Sequence, residues 1–343
     1  MMRPHGRYPR AVGTDATGAR FGAIMSGYES YFLTSVAPEG GRGFWLRYTV
    51  RVARPEAWGS LWFTWFDAAR PIATKLAVPE PLTGHGSWIE IAGAQLGEGR
   101  ASGSMEREKG RPRVSWDLTF RGEPVLAHLP QPWMYAARLP RTKPLSVHPF
   151  ARFDGTLVIG DEATVVSSWP GMVGHNWGAE HAERWIWVHG MAFRDEPDDS
   201  WIDVVLGRVK VRGWVTPWVA SGAISLRGKR HLLGGMRRTG STTVAERAQG
   251  AQLTLPGAGG LEVRVEIGAP KQRFVGWTYG DGDGHSHDVA NCSIADIDVT
   301  VSRPGLVELK LIGRGTAAYE LGMREHDHGI TMQPFADVPP PHG

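Results

Sequence analysis

The segment Trp169-Pro170-Gly171-Met172-Val173-Gly174-His175-Asn176-Trp177-Gly178 lies near the middle of the chain, and Glu180-His181-Ala182-Glu183-Arg184-Trp185-Ile186-Trp187-Val188-His189-Gly190 follows it almost at once. Tryptophan is favourable in a fold where its large apolar body is buried and its indole N–H has a partner. Asparagine and histidine supply such partners, and they can also carry out chemistry. The stretch therefore predicts either a joint between two halves of the protein or the mouth of a binding site.

Short runs rich in β-branched and aromatic residues lie on both sides of this stretch, for example at 43–52, 60–66, 114–120, 201–212 and 294–301. Turn residues separate them, and sustained helical stripes of apolar residues are missing, which predicts an all-β protein. Because 343 residues exceed the usual size of one domain, we expect two antiparallel barrels or sandwiches. The predicted domains span 22–180 and 181–330, after a flexible N-terminus at 1–21 and before a Pro-rich tail at 331–343.

The composition excludes several classes of protein. It is 41% hydrophobic and 21% charged, which is typical of a globular chain. The net charge is only +3, and the Arg-rich runs 107–113 and 227–230 are interpreted as hairpin tips, so no nucleic-acid partner is expected. The single Cys292 excludes an internal disulfide framework. Neither a transmembrane run nor a secretory h-region is visible, so we expect a cytoplasmic protein.

His175 and Asn176 allow two interpretations. His175 could donate or orient a proton while Asn176 anchors a water or a carbonyl group, both facing an apolar cavity. They could equally have a structural role and join the two barrels by hydrogen bonds at a tight turn, because buried polar groups must be hydrogen-bonded. Glu180 and Glu183 flank them. In an apolar pocket either carboxyl group could act as an acid, whereas in a solvated loop neither would.

Strand alternation places further residues on shared faces. Trp185, Trp187 and His189 share one face, which either lines a barrel lumen or packs between the barrels. Trp201 and Asp203 share another, on which the carboxylate either faces solvent or lines the lumen. The candidate catalytic residues are His175, Asn176, Glu180 and Glu183, and the candidate substrate-binding residues are Trp177, Trp185, Trp187, His189, Trp201 and Asp203.

Two histidine clusters, His285-Ser286-His287-Asp288 and His326-Asp327-His328, could chelate a metal, because alternate residues of a strand share a face. No third ligand at a fixed spacing accompanies them, and the first cluster follows a loop-like run of Gly and Asp at 280–284. We therefore interpret both as solvated turns and predict no metal and no cofactor. Nucleotide-binding glycine loops and known hydrolase motifs are also missing from the sequence.

The His175-Asn176-Trp177-Gly178 core, followed by Glu183-Arg184-Trp185 and Trp187, resembles the hydroxyneurosporene synthase (carotenoid 1,2-hydratase)/AttH-like family, as does the earlier Gly27-Tyr28-Glu29-Ser30-Tyr31-Phe32. This resemblance implies two lipocalin-like (calycin) antiparallel β-barrels in tandem, with the motif near their junction. Plant tocopherol cyclases and some fungal cyclases that shape decalin rings are distant relatives.

The same resemblance implies an enzyme that protonates an alkene of a hydrophobic isoprenoid- or polyketide-like substrate, leading to hydration or cyclisation. The hydratases are expected to carry an Asp directly before His-Asn-Trp, where this chain has Gly174. If that Asp supplies the proton, this chain lacks the donor at that position. A non-catalytic, lipocalin-like binding protein for an apolar small molecule is therefore the alternative. Transient membrane contact to acquire a lipid and the oligomeric state both stay open.

Overall fold

The computed structural model describes residues 17–24, 26–53, 56–79, 87–106, 111–197, 199–211, 213–281 and 285–335. Nearly all regular structure in these residues is antiparallel β, which confirms the predicted all-β class. Short 3₁₀ turns occur at Phe21–Ala23, Pro132–Tyr135, Met236–Ser241, Ala258–Gly260 and Lys271–Arg273. Within the described residues, no helix has the length and apolar character that crossing a membrane requires.

The first sheet has the strand order β4-β3-β2-β1-β11-β10-β8-β7-β6-β5, and β9 pairs with β10 beside this path. Its strands are β1 Ser26–Val36, β2 Gly43–Ala53, β3 Glu56–Phe66, β4 Ile72–Pro79, β5 Ser87–Ile91, β6 Ala94–Gly97, β7 Arg100–Met105, β8 Val114–Gly122, β9 Leu126–Ala127, β10 Thr142–Ile159 and β11 Glu162–Gly178.

The second sheet has the order β17-β16-β13-β12-β23-β22-β20-β19-β18, with β21 paired to β22, and a small ribbon joins β14 to β15. Its strands are β12 Arg184–Met191, β13 Trp201–Arg208, β16 Val219–Leu226, β17 Lys229–Gly234, β18 Thr243–Arg247, β19 Gly250–Pro256, β20 Glu262–Gly268, β21 Val275–Gly280, β22 Ser286–Ser302 and β23 Leu309–Met323, and the ribbon is β14 Lys210–Val211 with β15 Trp214–Val215.

Neither sheet closes on itself in the described part of the chain. The first sheet ends at β4 and β5, which do not pair with each other, and the second ends at β17 and β18. A single bridge between Leu233 and Gly257 links the second sheet across its gap. The two antiparallel sheets are therefore shown, whereas two closed lipocalin-like barrels are not.

The burial pattern shows where the sheets meet. In β8 the residues alternate between buried and exposed, as in a sheet with one solvated face. Strands β1, β2 and β3 are instead buried on both faces. One face covers the core of the first sheet, and the other packs on the second sheet, where Trp62 meets the Trp277 ring at 5.1 Å. The space between the two sheets is thus a second buried region, separate from the core of the first sheet.

Contacts extend into both predicted peripheral segments, and several sequence features fall outside the described residues. Residues 331–335 of the predicted tail pack on β21, through a bridge from Met332 to Gly276 and a ring contact from Phe335 to Trp277. In the predicted flexible N-terminus, the backbone N–H groups of Arg20 and Phe21 donate to the Glu29 carboxylate. Residues 1–16, 107–110 and 336–343 lie outside the described residues, as do 282–284 of the loop-like Gly/Asp run.

Candidate active site

Strand β1 presents alternate residues to the two interiors. Tyr31 faces the core of the first sheet and stacks on the His175 imidazole at 4.0 Å. Tyr28 and Phe32 face the second sheet, where Tyr28 stacks on His181 at 4.1 Å and Phe32 meets the edge of Trp187 at 5.2 Å. This follows from the two-residue period of a strand.

The His-Asn-Trp motif on β11 is divided in the same way. His175 turns toward the first core, where its Nε2 lies 2.9 Å from Oε1 of the buried Glu29, and its ring lies 4.5 Å from that of Trp177. Asn176 turns toward the second sheet, and its buried Oδ1 has no hydrogen-bond partner among the described residues. His175 thus reaches only the edge of the inter-sheet space, with Nε2 committed to Glu29.

The inter-sheet space contains a cavity of about 1020 Å³. Its wall is mainly apolar and aromatic, as is usual for small-molecule sites. The aromatic residues of the wall are Tyr28, Phe32, Trp45, Tyr135, Trp185, Trp187 and Tyr279, and its polar residues include Arg47, His128, Ser146, Asn176, His181 and Glu320.

A fully buried hydrogen-bond chain borders one wall of this cavity. Ser146 on β10 donates its hydroxyl proton to Oδ2 of Asp203 at 2.5 Å, and Oδ1 of Asp203 accepts the Trp187 indole N–H at 3.0 Å. The His128 Nε2 lies 2.9 Å from the Ser146 hydroxyl and 3.6 Å from Asp203 Oδ2. The His128 Nδ1 lies 3.1 Å from the Ser221 carbonyl oxygen.

The number of available protons decides which groups donate in this hydrogen-bond chain. A carbonyl oxygen only accepts, so the His128 Nδ1 must carry a proton. Ser146 has a single proton and gives it to the carboxylate, so His128 Nε2 must donate to Ser146. In this arrangement both ring nitrogens of His128 donate, and Asp203 accepts as a carboxylate. Burial raises the pKa of Asp203, but the hydrogen bond and charge of His128 outweigh it and hold that pKa below its ordinary value.

A second histidine and carboxylate group adjoins the cavity through His181. The His181 Nδ1–H donates to Asp281 Oδ1 at 2.8 Å, and the His287 Nδ1 lies 3.1 Å from Asp281 Oδ2. Burial lowers the pKa of His181 to about 4 despite this carboxylate, so its imidazole is neutral. Burial also raises the pKa of Asp281, but the two imidazoles outweigh it and hold that pKa far below its usual range.

Among the described residues, these three side chains form the group that could hold a metal ion. One ligand atom from each of His181, Asp281 and His287 lies within 4.8 Å of the others. The structure buries His287 within β22, so the prediction of a solvated turn is wrong at this residue. The nearby Asp288 is also buried and contacts His326 and His328 at 2.9 and 3.1 Å.

A third polar group in the cavity wall consists of Arg47, Tyr279 and Glu320. The buried Arg47 guanidinium sits 4.0 Å above the Tyr279 ring and donates through Nε to Ser30 at 2.6 Å. The Tyr279 hydroxyl donates to Glu320, which also accepts the indole N–H of Trp185. The wall therefore offers a cation and a tightly held carboxylate beside the aromatic rings.

The remaining candidates lie away from the cavity. Glu180 and Glu183 form partly exposed ion pairs with Arg141 and Arg324, at 2.9 and 3.1 Å, and neither borders the cavity. The structure thus does not bring either carboxylate to the cavity wall, and their catalytic assignment stays a prediction. Four of the six predicted substrate-binding residues, Trp177, His189, Trp201 and Asp203, are likewise not part of the described cavity wall.

The face of β12 that carries Trp185, Trp187 and His189 packs between the sheets. The first two indoles line the cavity, while the buried His189 donates from Nε2 to the Pro149 carbonyl at 2.8 Å. Asp203 is neither solvated nor in a barrel lumen, because Ser146, His128 and Trp187 enclose it between the sheets.

Sequence reasoning missed most of the polar wall, namely Arg47, His128, Ser146, His181, Tyr279 and Glu320. Only His181 carried a signal, because it lies inside the central stretch. The others stand singly on strands or loops far apart in sequence. Only strand pairing, such as that of Ser146 opposite Gly174, brings them together.

Comparisons with known proteins are consistent with this architecture. No protein-family model matches the chain. The uncharacterized proteins MT0513 and Rv0493c of Mycobacterium tuberculosis, from strains CDC 1551 / Oshkosh and H37Rv, are each 26% identical to it over 314 residues, covering 86% of both chains.

Three crystal structures share the fold. CghA superposes with a TM-score of 0.59 at 13% identity, covering 87% of this chain and 88% of its own. An AttH-type protein from Nitrosomonas europaea gives 0.52 at 14% identity, covering 91% and 97%. Kievitone hydratase from Nectria haematococca gives 0.52 at 8% identity, covering 92% and 96%. The predicted resemblance to AttH-like proteins is thus confirmed at the level of the fold.

Proposed function

We propose that this protein is an enzyme that protonates a carbon–carbon double bond of an apolar, isoprenoid- or polyketide-like substrate, which then takes up water or closes a ring. The supporting observation is the chain from His128 through Ser146 to Asp203 at the wall of an aromatic cavity. A positioned acid, cation-stabilising rings and a cavity that excludes water are what this chemistry requires.

The proton transfer involves three residues in order. The Ser146 hydroxyl, which borders the cavity, turns its proton from Asp203 to one alkene carbon and transfers it, and the Nε2 proton of His128 moves to the Ser146 oxygen. A C–H bond forms, the π bond breaks, and the neutral imidazole is left beside the Asp203 carboxylate. In hydration, water bonds to the carbocation and its released proton returns to His128, so the enzyme is regenerated.

The aromatic wall would stabilise the cation between these steps. Phe32 and Trp187 meet edge to face beside Ser146, and Tyr28 stacks on His181 further along the cavity. The negative faces of such rings attract a cation by about 0.5–2 kcal/mol each. The same apolar surface would hold the hydrocarbon part of the substrate.

The strand register offers a reason why the hydratase Asp is dispensable. Gly174 pairs directly with Ser146 across the β10–β11 ladder, and directly opposite residues project on the same face. A carboxyl group at position 174 would therefore point beside the Ser146 hydroxyl. We infer that the proton donor keeps its location while Ser146 and His128 replace the missing acid. The name of the structural neighbour kievitone hydratase supports the reaction type.

The experiment begins with native mass spectrometry of the protein purified from its host, to identify a bound lipid, together with a panel of isoprenoid alcohols and conjugated polyenes. Turnover in D₂O should place deuterium on carbon. Ser146→Ala should keep ligand binding and lose about 10²–10⁴-fold in turnover, the usual contribution of a general acid. The control is Ser225→Ala, a buried serine outside the cavity wall. Tight binding without any turnover by the wild type would favour the non-catalytic alternative.

A further inference from the structure

We propose that His181, Asp281 and His287 bind one divalent transition-metal ion beside the cavity. The three come from separate elements. His181 lies in the link between the two sheets, Asp281 follows β21, and His287 is the second residue of β22. Strand β21 pairs with β22 so that Tyr279 stands opposite His287, which brings Asp281 back to that imidazole.

The geometry is that of a ligand set that needs only small adjustment. One donor atom from each residue lies within 4.8 Å of the other two, and the Asp281 carboxylate is 2.8 Å from one imidazole nitrogen and 3.1 Å from the other. Imidazole and carboxylate ligands lie about 2.0–2.2 Å from zinc, so the donors of one ion are no more than about 4.4 Å apart. Shifts of a few tenths of an ångström would suffice.

Unsatisfied buried atoms point to a missing occupant. Among the described residues, both nitrogens of His287, Nε2 of His181 and Oδ2 of Asp281 have no hydrogen-bond partner. The 3.1 Å approach of His287 to Asp281 does not have hydrogen-bond alignment. Each buried polar atom left unpaired costs about 1–3 kcal/mol, so four in one cluster are unexpected in a finished site. A cation would take up one atom from each residue.

The charges near the cluster also fit a cation. Asp281 is an anion, and Glu320 places a second carboxylate in the same wall. Arg324 approaches Asp281 at 3.9 Å, but its guanidinium is held by Glu183 at 3.1 Å. Arg47 is a further positive charge in the wall and donates to Ser30. Two imidazoles and one carboxylate are a ligand set that zinc and non-haem iron(II) sites use.

Three protein ligands leave a coordination position open, and His181 borders the cavity. A water on the ion could thus face a substrate in the cavity that Ser146 also borders. This role would rest on the proposed function, whereas metal binding itself does not, because it is measured without turnover.

The test uses the full chain. Metal analysis of protein purified without chelator should find one zinc or iron per chain. Titration of chelated protein with Co²⁺ should develop visible d–d absorption that Zn²⁺ displaces. His287→Gln and Asp281→Asn should each weaken Co²⁺ binding by more than the roughly 10–100-fold caused by loss of an outer-shell partner. A wild type that binds neither Co²⁺ nor Zn²⁺ overturns the proposal, whatever the variants do.

Two controls locate the ion. His189→Gln removes a buried imidazole that is outside the cluster and also has an unpartnered nitrogen, so binding should persist. His326→Gln removes an exposed imidazole beside Asp288, and binding should again persist. If His326→Gln abolished binding while His287→Gln kept it, the ion would sit at Asp288 and the proposed site would be wrong.

Discussion

Gly174, which stands where the hydratases are expected to carry an Asp, has a steric reason to be glycine. A Cβ atom built there would lie 2.2 Å from Cζ and 2.4 Å from Cε1 of Phe32, where ordinary contact begins at 3.4 Å. The Phe32 ring would have to retreat by more than 1 Å. That retreat would disturb its edge contact with Trp187 and push the ring into the cavity.

Gly174→Ala should therefore destabilise the protein, although alanine is otherwise the better strand residue. Forcing an extra carbon into a packed site costs about 1–3 kcal/mol. Removing glycine from a strand returns about 0.5–1 kcal/mol. We expect the free energy of unfolding to fall by roughly 0.5–2 kcal/mol in urea denaturation at constant m-value. Affinity for any cavity ligand should fall as well.

A double-mutant cycle separates this clash from a general backbone effect. In a Phe32→Leu background the same Gly174→Ala change should be neutral or stabilising, which gives a coupling energy within the 0.5–3 kcal/mol known for contacting residues. The matched control is Gly207→Ala on β13, where the added carbon meets only the Ala182 Cβ at 3.8 Å. A Gly174→Ala variant as stable as Gly207→Ala, without coupling to Phe32, would refute the reasoning.

Three further predictions concern buried polar groups. Asp203→Asn should lower the free energy of unfolding, measured by urea denaturation, by about 3–5 kcal/mol, because the buried His128 loses the carboxylate with which it pairs. If the effects of Asp203→Asn and His128→Gln simply added in the double variant, the two residues would not be coupled and the prediction would fail. Burial lowers the pKa of His189, so the unfolded chain binds a proton at this residue more readily than the folded chain. The free energy of unfolding should therefore fall as the pH drops below about 6.5. His189→Gln should flatten that decline between pH 7.5 and 5.5, and an unchanged slope would exclude His189 as its source. Tyr135→Phe should lower the free energy of unfolding by about 1–3 kcal/mol, because the Tyr135 hydroxyl accepts hydrogen bonds from the backbone N–H groups of residues 128 and 129. Hydrogen exchange should become faster at these two residues, and unaltered exchange would argue against the prediction.

The sequence predicts this fold well where local rules decide it. Alternation and turn residues locate strands such as β8 and β20, because each keeps one face in a core and one in solvent. The hairpin tip at Arg227 and Gly228 follows from its turn chemistry, and both residues have positive φ. Closure of the sheets depends on how distant edges meet, which no local pattern encodes.

The candidate site was less accessible to such reasoning. The Trp-rich stretch pointed to the inter-sheet space, and Trp185 and Trp187 do line the cavity. Glu180 and Glu183 were candidate acids because tryptophans lie near them in the sequence. They form ion pairs with Arg141 and Arg324, which lie far away in the sequence. His287 looked like part of a solvated turn because glycines precede it, while pairing of β22 with β21 buries it. Ion pairs and long-range register decided these cases.

One row of three residues across the central strands links the fold to the chemistry. Phe32 on β1 pairs with Gly174 on β11, and Gly174 pairs with Ser146 on β10, so all three project on the cavity face. Because Gly174 has no side chain, the Phe32 ring lies over the strand and meets Trp187 from the second sheet. An Asp at 174 would require that ring to move by more than 1 Å. A carboxyl group at 174 and the present aromatic contact therefore compete for the same space, and the Ser146 hydroxyl next in the row is the group that we propose as the proton donor.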